Sequence, residues 1–172
     1  MNENKQGRKY YPQSRPGPRP KSKEDRPVRA QSSGTNKLKV IPIGGLHEIG
    51  KNMTLLEYGD DIIIIDCGLA FPDDEMLGID IVIPDFTYLI NNREKVRGMV
   101  ITHAHEDHIG AVPYFLKEFN VPIYATRLTV GFIKNKLKEH NLEGDLHEVT
   151  PGDILSMGCF RIETIHTTHS VA

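Results

Sequence analysis

The chain has 172 residues, 38% hydrophobic and 26% charged, with a net charge of −2, a balance ordinary for a soluble globular protein. It has no apolar run near the roughly 20 residues of a membrane helix and no hydrophobic segment behind its basic N-terminus, which excludes a membrane span and a secretory signal. Cys67 and Cys159 form no CxxC and both fall in apolar stretches, so the sequence predicts two small buried side chains in a reducing cytoplasm.

The small net charge conceals a split. Residues 1–39 carry eleven Lys/Arg against Glu3, Glu24 and Asp25, whereas the remainder carries ten Lys/Arg against twenty Asp/Glu. Residues 1–38 hold five of the 11 prolines and almost no aliphatic side chains. Such a segment cannot bury enough apolar surface to offset its ordering entropy, so a disordered basic tail is expected there. A solubilising arm fits that composition, and so does an arm that tracks RNA phosphates with Tyr10 and Tyr11 stacked on bases.

From Lys39 the texture changes to strands. "KVIPI" opens the series, and the loop "GGLHEIGKN" after it comes close to the phosphate-binding pattern G-x-x-x-x-G-K-[ST]. That reading fails on two counts. Asn52 stands where the magnesium-binding hydroxyl belongs, and "MTLLEYG" and "DDIIIIDCG" follow as strands where a helix is required. The four isoleucines are β-branched and point to a buried strand ending at Asp66. "RGMVIT" is the next strand, and "AVPYFLKEF" a helix with Pro113 in its first turn. "VPIYAT" is a strand, and "RLTVGFIKNKLKEHNL" a helix expected to bury Leu128, Phe132 and Leu137. "DLHEVT", a turn at Pro151-Gly152-Asp153, "DILSMG" and "CFRIETIHTTHS" complete a β-rich chain into which helices enter late.

The chemistry concentrates in "VITHAHEDHIG". In an extended segment alternate side chains share a face, so His103 and His105 can converge on one metal ion. Asp107, two residues further along that side, and His108, where the chain turns toward a helix, can serve a second ion nearby. Imidazole and carboxylate donors suit zinc, with manganese fitting an oxygen-richer site. The "HTTH" pair offers His166 or His169 as a further ligand at a strand end. His47, His140 and His147 have no ligand-like company and read as surface or structural residues. "HEIGK" and "HEDHIG" fail HExxH, which excludes a helical zinc protease.

Thr102 to Gly110, "THAHEDHIG", resembles the HxHxDH signature of the metallo-β-lactamase superfamily, and "IIIIDCG" is similar to its first motif, whose Asp supports the ligand loop. "GGLHEIGKNM", "DCGLAFPDDEMLGIDIVIPDFTYL", "GMVITHAHEDHIGAVPYFL" and "HTTHS" resemble, in order and spacing, the bacterial ribonuclease J family. A glyoxalase II-like thioesterase shares HxHxDH without the first two of those blocks. Two positions depart from the family: a Gly is common where His47 stands, and HSIPD is common where this chain reads His169-Ser170-Val171-Ala172.

The resemblance implies an α/β metallo-β-lactamase αββα sandwich, with residues 39–172 as the N-terminal part of that domain behind the 1–38 tail. It selects His169, with His103 and His105, for one zinc and gives Asp107 and His108 to the other; Asp107 and His108 carry the catalytic role. It implies a cytoplasmic, metal-dependent nuclease with 5′-to-3′ exonuclease and endonuclease modes in RNA maturation, including rRNA processing, and decay. Its substrate would be 5′-monophosphorylated RNA, and it would form a homo-oligomer at full length. A bridging Asp, a further His and a β-CASP insertion are expected after Ala172. Residues 1–172 alone are therefore expected to show little or no nuclease activity, or only weak non-catalytic RNA binding.

Overall fold

The computed structural model describes residues 37–169; the predicted tail, but for Lys37 and Leu38, lies outside them. Strands β1 (Lys39–Gly44), β2 (Met53–Tyr58) and β3 (Asp61–Ile65) form an antiparallel meander, as their short connections require. From β3 onward the pairing becomes parallel, through β4 (Val96–Val100), β5 (Ile123–Thr126) and β6 (Leu146–Val149). Parallel neighbours need crossovers, and the chain supplies them as helices. These are α1 (Thr87–Ile90), the short α2 (Glu106–Ile109) and α3 (Val112–Leu116), and α4 (Arg127–Glu139), with a 3₁₀ turn at Arg93–Lys95. The result is one six-stranded mixed sheet in the order β1-β2-β3-β4-β5-β6. A separate hairpin, β7 (Ile154–Met157) with β8 (Phe160–Glu163), follows it.

Periodicity explains the layers. Along β2 the alternate residues Met53, Leu55 and Glu57 are buried, whereas in β3 Ile62, Ile63 and Ile64 are all buried, so β3 is covered on both faces. Met53, Leu55, Ile62, Ile64, Met99 and Ile123 join Phe115, Val130 and Ile133 of the helices in one core. The β7–β8 turn is tied to the β2–β3 turn, where the Cys159 amide donates to Asp61 Oδ2 at 2.8 Å and Arg97 pairs with the same carboxylate.

Three expectations are corrected here. Helix α4 turns Thr129, Val130, Ile133 and Leu137 inward, and leaves Leu128 and Phe132 about half exposed at 52% and 46%. Cys67 is buried as expected, but Cys159 is exposed because it sits in the β7–β8 turn. The last strand stops at Glu163, where pairing with β7 ends, and residues 164–169 run on without regular structure.

One buried charge carries a pH dependence. The Glu57 carboxylate accepts from Lys39 Nζ at 2.8 Å and from the Tyr88 hydroxyl, with Lys95 Nζ at 3.9 Å. Burial pushes its pKa up, but these donors and cations outweigh burial and hold it below the ordinary value. A carboxylate lowered in the folded state stabilises fully above its unfolded pKa of about 4.3, and that contribution disappears as pH falls through the folded value. Urea unfolding from pH 7 to pH 3 is therefore expected to show a loss of stability in the acid range that Glu57→Gln reduces. Equal pH slopes for the two proteins would refute the assignment.

Candidate metal centre

The site forms where the parallel strands end. The last residues of β3 and β4 lie side by side, with Ile65 opposite Val100. Beyond them Asp66 turns with φ of 62°, a left-handed conformation costly for most residues with a Cβ, above all β-branched ones, but tolerated by Asp when its side chain is hydrogen-bonded. Here it is. Asp66 Oδ1 accepts the Thr102 amide at 2.8 Å, and the Thr102 hydroxyl lies 2.9–3.0 Å from both carboxylate oxygens.

That carboxylate, only 9% exposed, orients two imidazoles. His108 Nδ1 donates to Asp66 Oδ2 at 2.8 Å, which leaves His108 Nε2 with its lone pair toward the site. The Thr102 hydroxyl donates to Asp66 and accepts from His103 Nδ1 at 2.9 Å, which frees His103 Nε2 in the same way. A carboxylate behind a ligating histidine fixes both tautomer and ring orientation.

His103 and His105 lie in an extended segment, and His103 Nε2 stands 3.1 Å from His105 Nδ1. His169 completes the group, its ring centroid 4.4 Å from that of His103 and 4.8 Å from that of His105. One donor atom from each of His103, His105 and His169 falls within 4.8 Å of the others. His169 reaches this place from an irregular segment and not from a strand end, and His166 is exposed outside the cluster. Three imidazole nitrogens at that separation are a donor set that fits a zinc-like divalent cation.

Asp107 is not on an extended strand. The chain enters α2 immediately after His105, so Asp107 and His108 lie on its first turn. They meet there, with Asp107 Oδ2 3.4 Å from His108 Nε2, and the His108 ring centroid lies 4.0 Å from that of His103. The five predicted residues thus lie in one contiguous group.

Sequence reading missed Asn52. Its Nδ2 donates to Asp107 Oδ2 at 2.9 Å and lies 3.2 Å from His108 Nε2. The loop set aside as a nucleotide cradle is therefore a wall of this site. Asn52→Ala is expected to weaken divalent-metal affinity by about 10- to 100-fold with the fold retained; unchanged zinc affinity by calorimetry would refute that role. At the tip of this loop His47 is exposed with φ of 60°, a conformation Gly adopts without cost.

The three segments are knitted through their backbones. Asn52 N donates to Asp107 O at 3.0 Å, Gly68 N to Asn52 O at 3.0 Å, Cys67 N to His108 O at 2.8 Å and Leu69 N to Glu106 O at 3.1 Å. Electrostatics divides the imidazoles. Burial, with the neighbouring His108 and His169, lowers the His103 pKa and keeps it a neutral donor. Burial also lowers that of His108, but the hydrogen bond and charge of Asp66, with Asp107, outweigh it and raise the net value.

This fold and donor arrangement define a class. The chain belongs to the metallo-beta-lactamase superfamily, whose family model matches residues 48–171. Within the class it is similar to ribonuclease J of Synechocystis sp., 48% identical over 147 residues that make up 83% of this chain and 23% of that protein. Ribonuclease J 1 of Streptococcus pyogenes is 47% identical over 138 residues, 79% of this chain and 25% of that protein. The chain thus spans about a quarter of the length of these relatives. Among solved structures it resembles the metallo-beta-lactamase fold protein YhfI from Bacillus subtilis, with a TM-score of 0.52 and 22% identity over 78% of this chain and 55% of that one, a likeness of fold alone. Among the described residues no helix is long and apolar enough to cross a membrane.

Proposed function

We propose that this chain is the N-terminal part of a zinc-dependent ribonuclease that hydrolyses RNA phosphodiester bonds in 5′-to-3′ exonuclease and endonuclease modes. The observation that carries the reading is the donor group itself. His103, His105 and His169 stand ready for one cation, with Asp107 and His108 beside them for a second. The similarity to relatives named ribonuclease J supports RNA as the substrate.

Bound divalent cations supply Lewis acidity toward the phosphate and a nucleophilic water at neutral pH. Zinc suits the three-imidazole set, and manganese also fits the more oxygen-rich pair. The protein's own groups do the positioning. Asp66 and Thr102 hold the His103 and His108 rings, and Asn52 holds the Asp107 carboxylate, which would orient the attacking water. A β-CASP insertion and the remaining ligands, an Asp and a His, belong to the rest of that protein. It acts in the cytoplasm in RNA maturation and decay, as a homo-oligomer, with the basic tail contacting RNA.

Full-length protein supplied with zinc or manganese is expected to degrade 5′-monophosphorylated RNA and to leave a thioester such as a glutathione ester intact. Thioester hydrolysis without RNA cleavage would replace this reading by the thioesterase one.

A further inference from the structure

The two residues that α4 was expected to bury and does not, Leu128 and Phe132, are one helical turn apart on its outward side. Between them lies Gly131, where an added Cβ would meet nothing within 4 Å. Beside this apolar row runs a row of cations. Arg127, Lys134 and Lys138 recur at i, i+7 and i+11, which places them in line along ~16 Å of helix. The charge of this helix is out of character with its surroundings. Residues 40–172 hold ten Lys/Arg against twenty Asp/Glu, and four of the ten lie on α4.

Pairing separates these cations from most of the others; among the described residues Lys117 and Arg161 also lack an ion pair, but neither lies on α4. Lys51, Arg93, Lys95 and Arg97 each have a carboxylate partner, as does Lys136 of α4. Among the described residues Arg127, Lys134 and Lys138 make no ion pair, and the acids nearest in sequence, Glu139 and Glu143, follow at the helix end. Three unpaired cations on an acidic body call for an anionic partner, and an apolar row beside them calls for a partner that also presents flat apolar faces. Single-stranded nucleic acid has both, with phosphates along one side and bases along the other. The surface is joined to the metal centre, because Lys136 Nζ holds Glu106 Oε2 at 2.7 Å, and Glu106 stands between His105 and Asp107.

We infer that the outward face of α4 is a docking surface for single-stranded RNA, its phosphates on Arg127, Lys134 and Lys138 and a base on Phe132. The inference rests on the ribonuclease reading for its choice of nucleic acid. It also explains why a large aromatic and a leucine stay in water on a helix that buries four other residues.

The test uses the 172-residue chain and a fluorescein-labelled 5′-phosphorylated oligoribonucleotide, without added metal, so that binding is read apart from cleavage. The triple variant Arg127→Gln/Lys134→Gln/Lys138→Gln is expected to bind about tenfold more weakly at low salt. Its log–log salt slope should be shallower by about 0.7 for each phosphate contact removed, about 2 in all. Phe132→Ser should weaken binding with the slope unchanged, since it removes stacking and no charge. All these positions are exposed, and circular dichroism checks that the helix is retained. Unchanged affinity and slope in the triple variant would overturn the docking surface, whether or not full-length protein cleaves RNA. A Phe132→Ser variant that alters sedimentation but not RNA affinity would overturn it too, and would make the face a protein interface. If wild-type full-length protein failed to cleave RNA while the triple variant still lost slope, the ribonuclease reading alone would fall.

Discussion

Replacing Asp107 and His108 together by alanine is expected to reduce RNA cleavage by the full-length protein by about 10³-fold or more. The argument is geometric. The two side chains face one another at 3.4 Å beside the His103 ring, while the other carboxylate there, Asp66, is taken up by Thr102 and by His108 Nδ1. In the proposed mechanism these two residues would hold the second cation and orient the attacking water, so both functions would be lost with them. The fold should survive. Asp107 is 41% exposed at its side chain, and the loss of His108 removes one hydrogen bond from an Asp66 carboxylate that keeps Thr102, at a cost of about 1–2 kcal/mol. Metal content measured by native mass spectrometry should fall with activity while the circular dichroism spectrum stays the same. Continued cleavage by the double variant would show that the assignment of these two residues is wrong.

Gly68→Ala is expected to be the most damaging single methyl group in the described fold. Its Cβ would stand 1.5 Å from the Asp107 carbonyl oxygen, 2.1 Å from the carbonyl carbon and 2.8 Å from the His108 amide nitrogen. All three are backbone atoms, and they can move only by breaking the bonds that join residues 67–69 to residues 106–108. A destabilisation of about 3 kcal/mol, with loss of metal affinity, is expected from urea unfolding and zinc titration. Gly131→Ala is the internal comparison. It meets no neighbour in the middle of an exposed helix face, and should stabilise by up to ~1 kcal/mol. A Gly68→Ala protein as stable as wild type would mean that the ligand loop is not packed against β3's end as described.

Why was the histidine group readable from sequence while one of its supports, Asn52, was not? His103 and His105 announce themselves because an extended i, i+2 pair of the same ligand type has one obvious use. Asp66 was legible as the end of a β-branched run. Asn52 was not, since its contact with Asp107 spans 55 residues and depends on how two loops are knitted, which no local pattern encodes. Similarly, the period of α4 identified a helix without telling which side faces the sheet. Leu128-x-x-x-Phe132 and Val130-x-x-Ile133-x-x-x-Leu137 are both helical stripes, and packing on β5 and β6 chose the second. His169 shows the reverse case, because its strand assignment failed while its ring does lie beside those of His103 and His105.

The backbone lattice joining Asn52, Gly68 and Asp107 has a consequence for how the protein handles its metal. None of those hydrogen bonds uses a cation, and Asp66 aims the His103 and His108 rings through protein contacts alone. Folding is therefore expected to survive removal of the metal, unlike that of a zinc finger, whose chain collapses only around its ion. Such a protein can be synthesised and folded in a metal-poor cell and charged afterwards. Under the proposed function, a chelator is then expected to act as a reversible switch on activity without sending the protein to proteolysis.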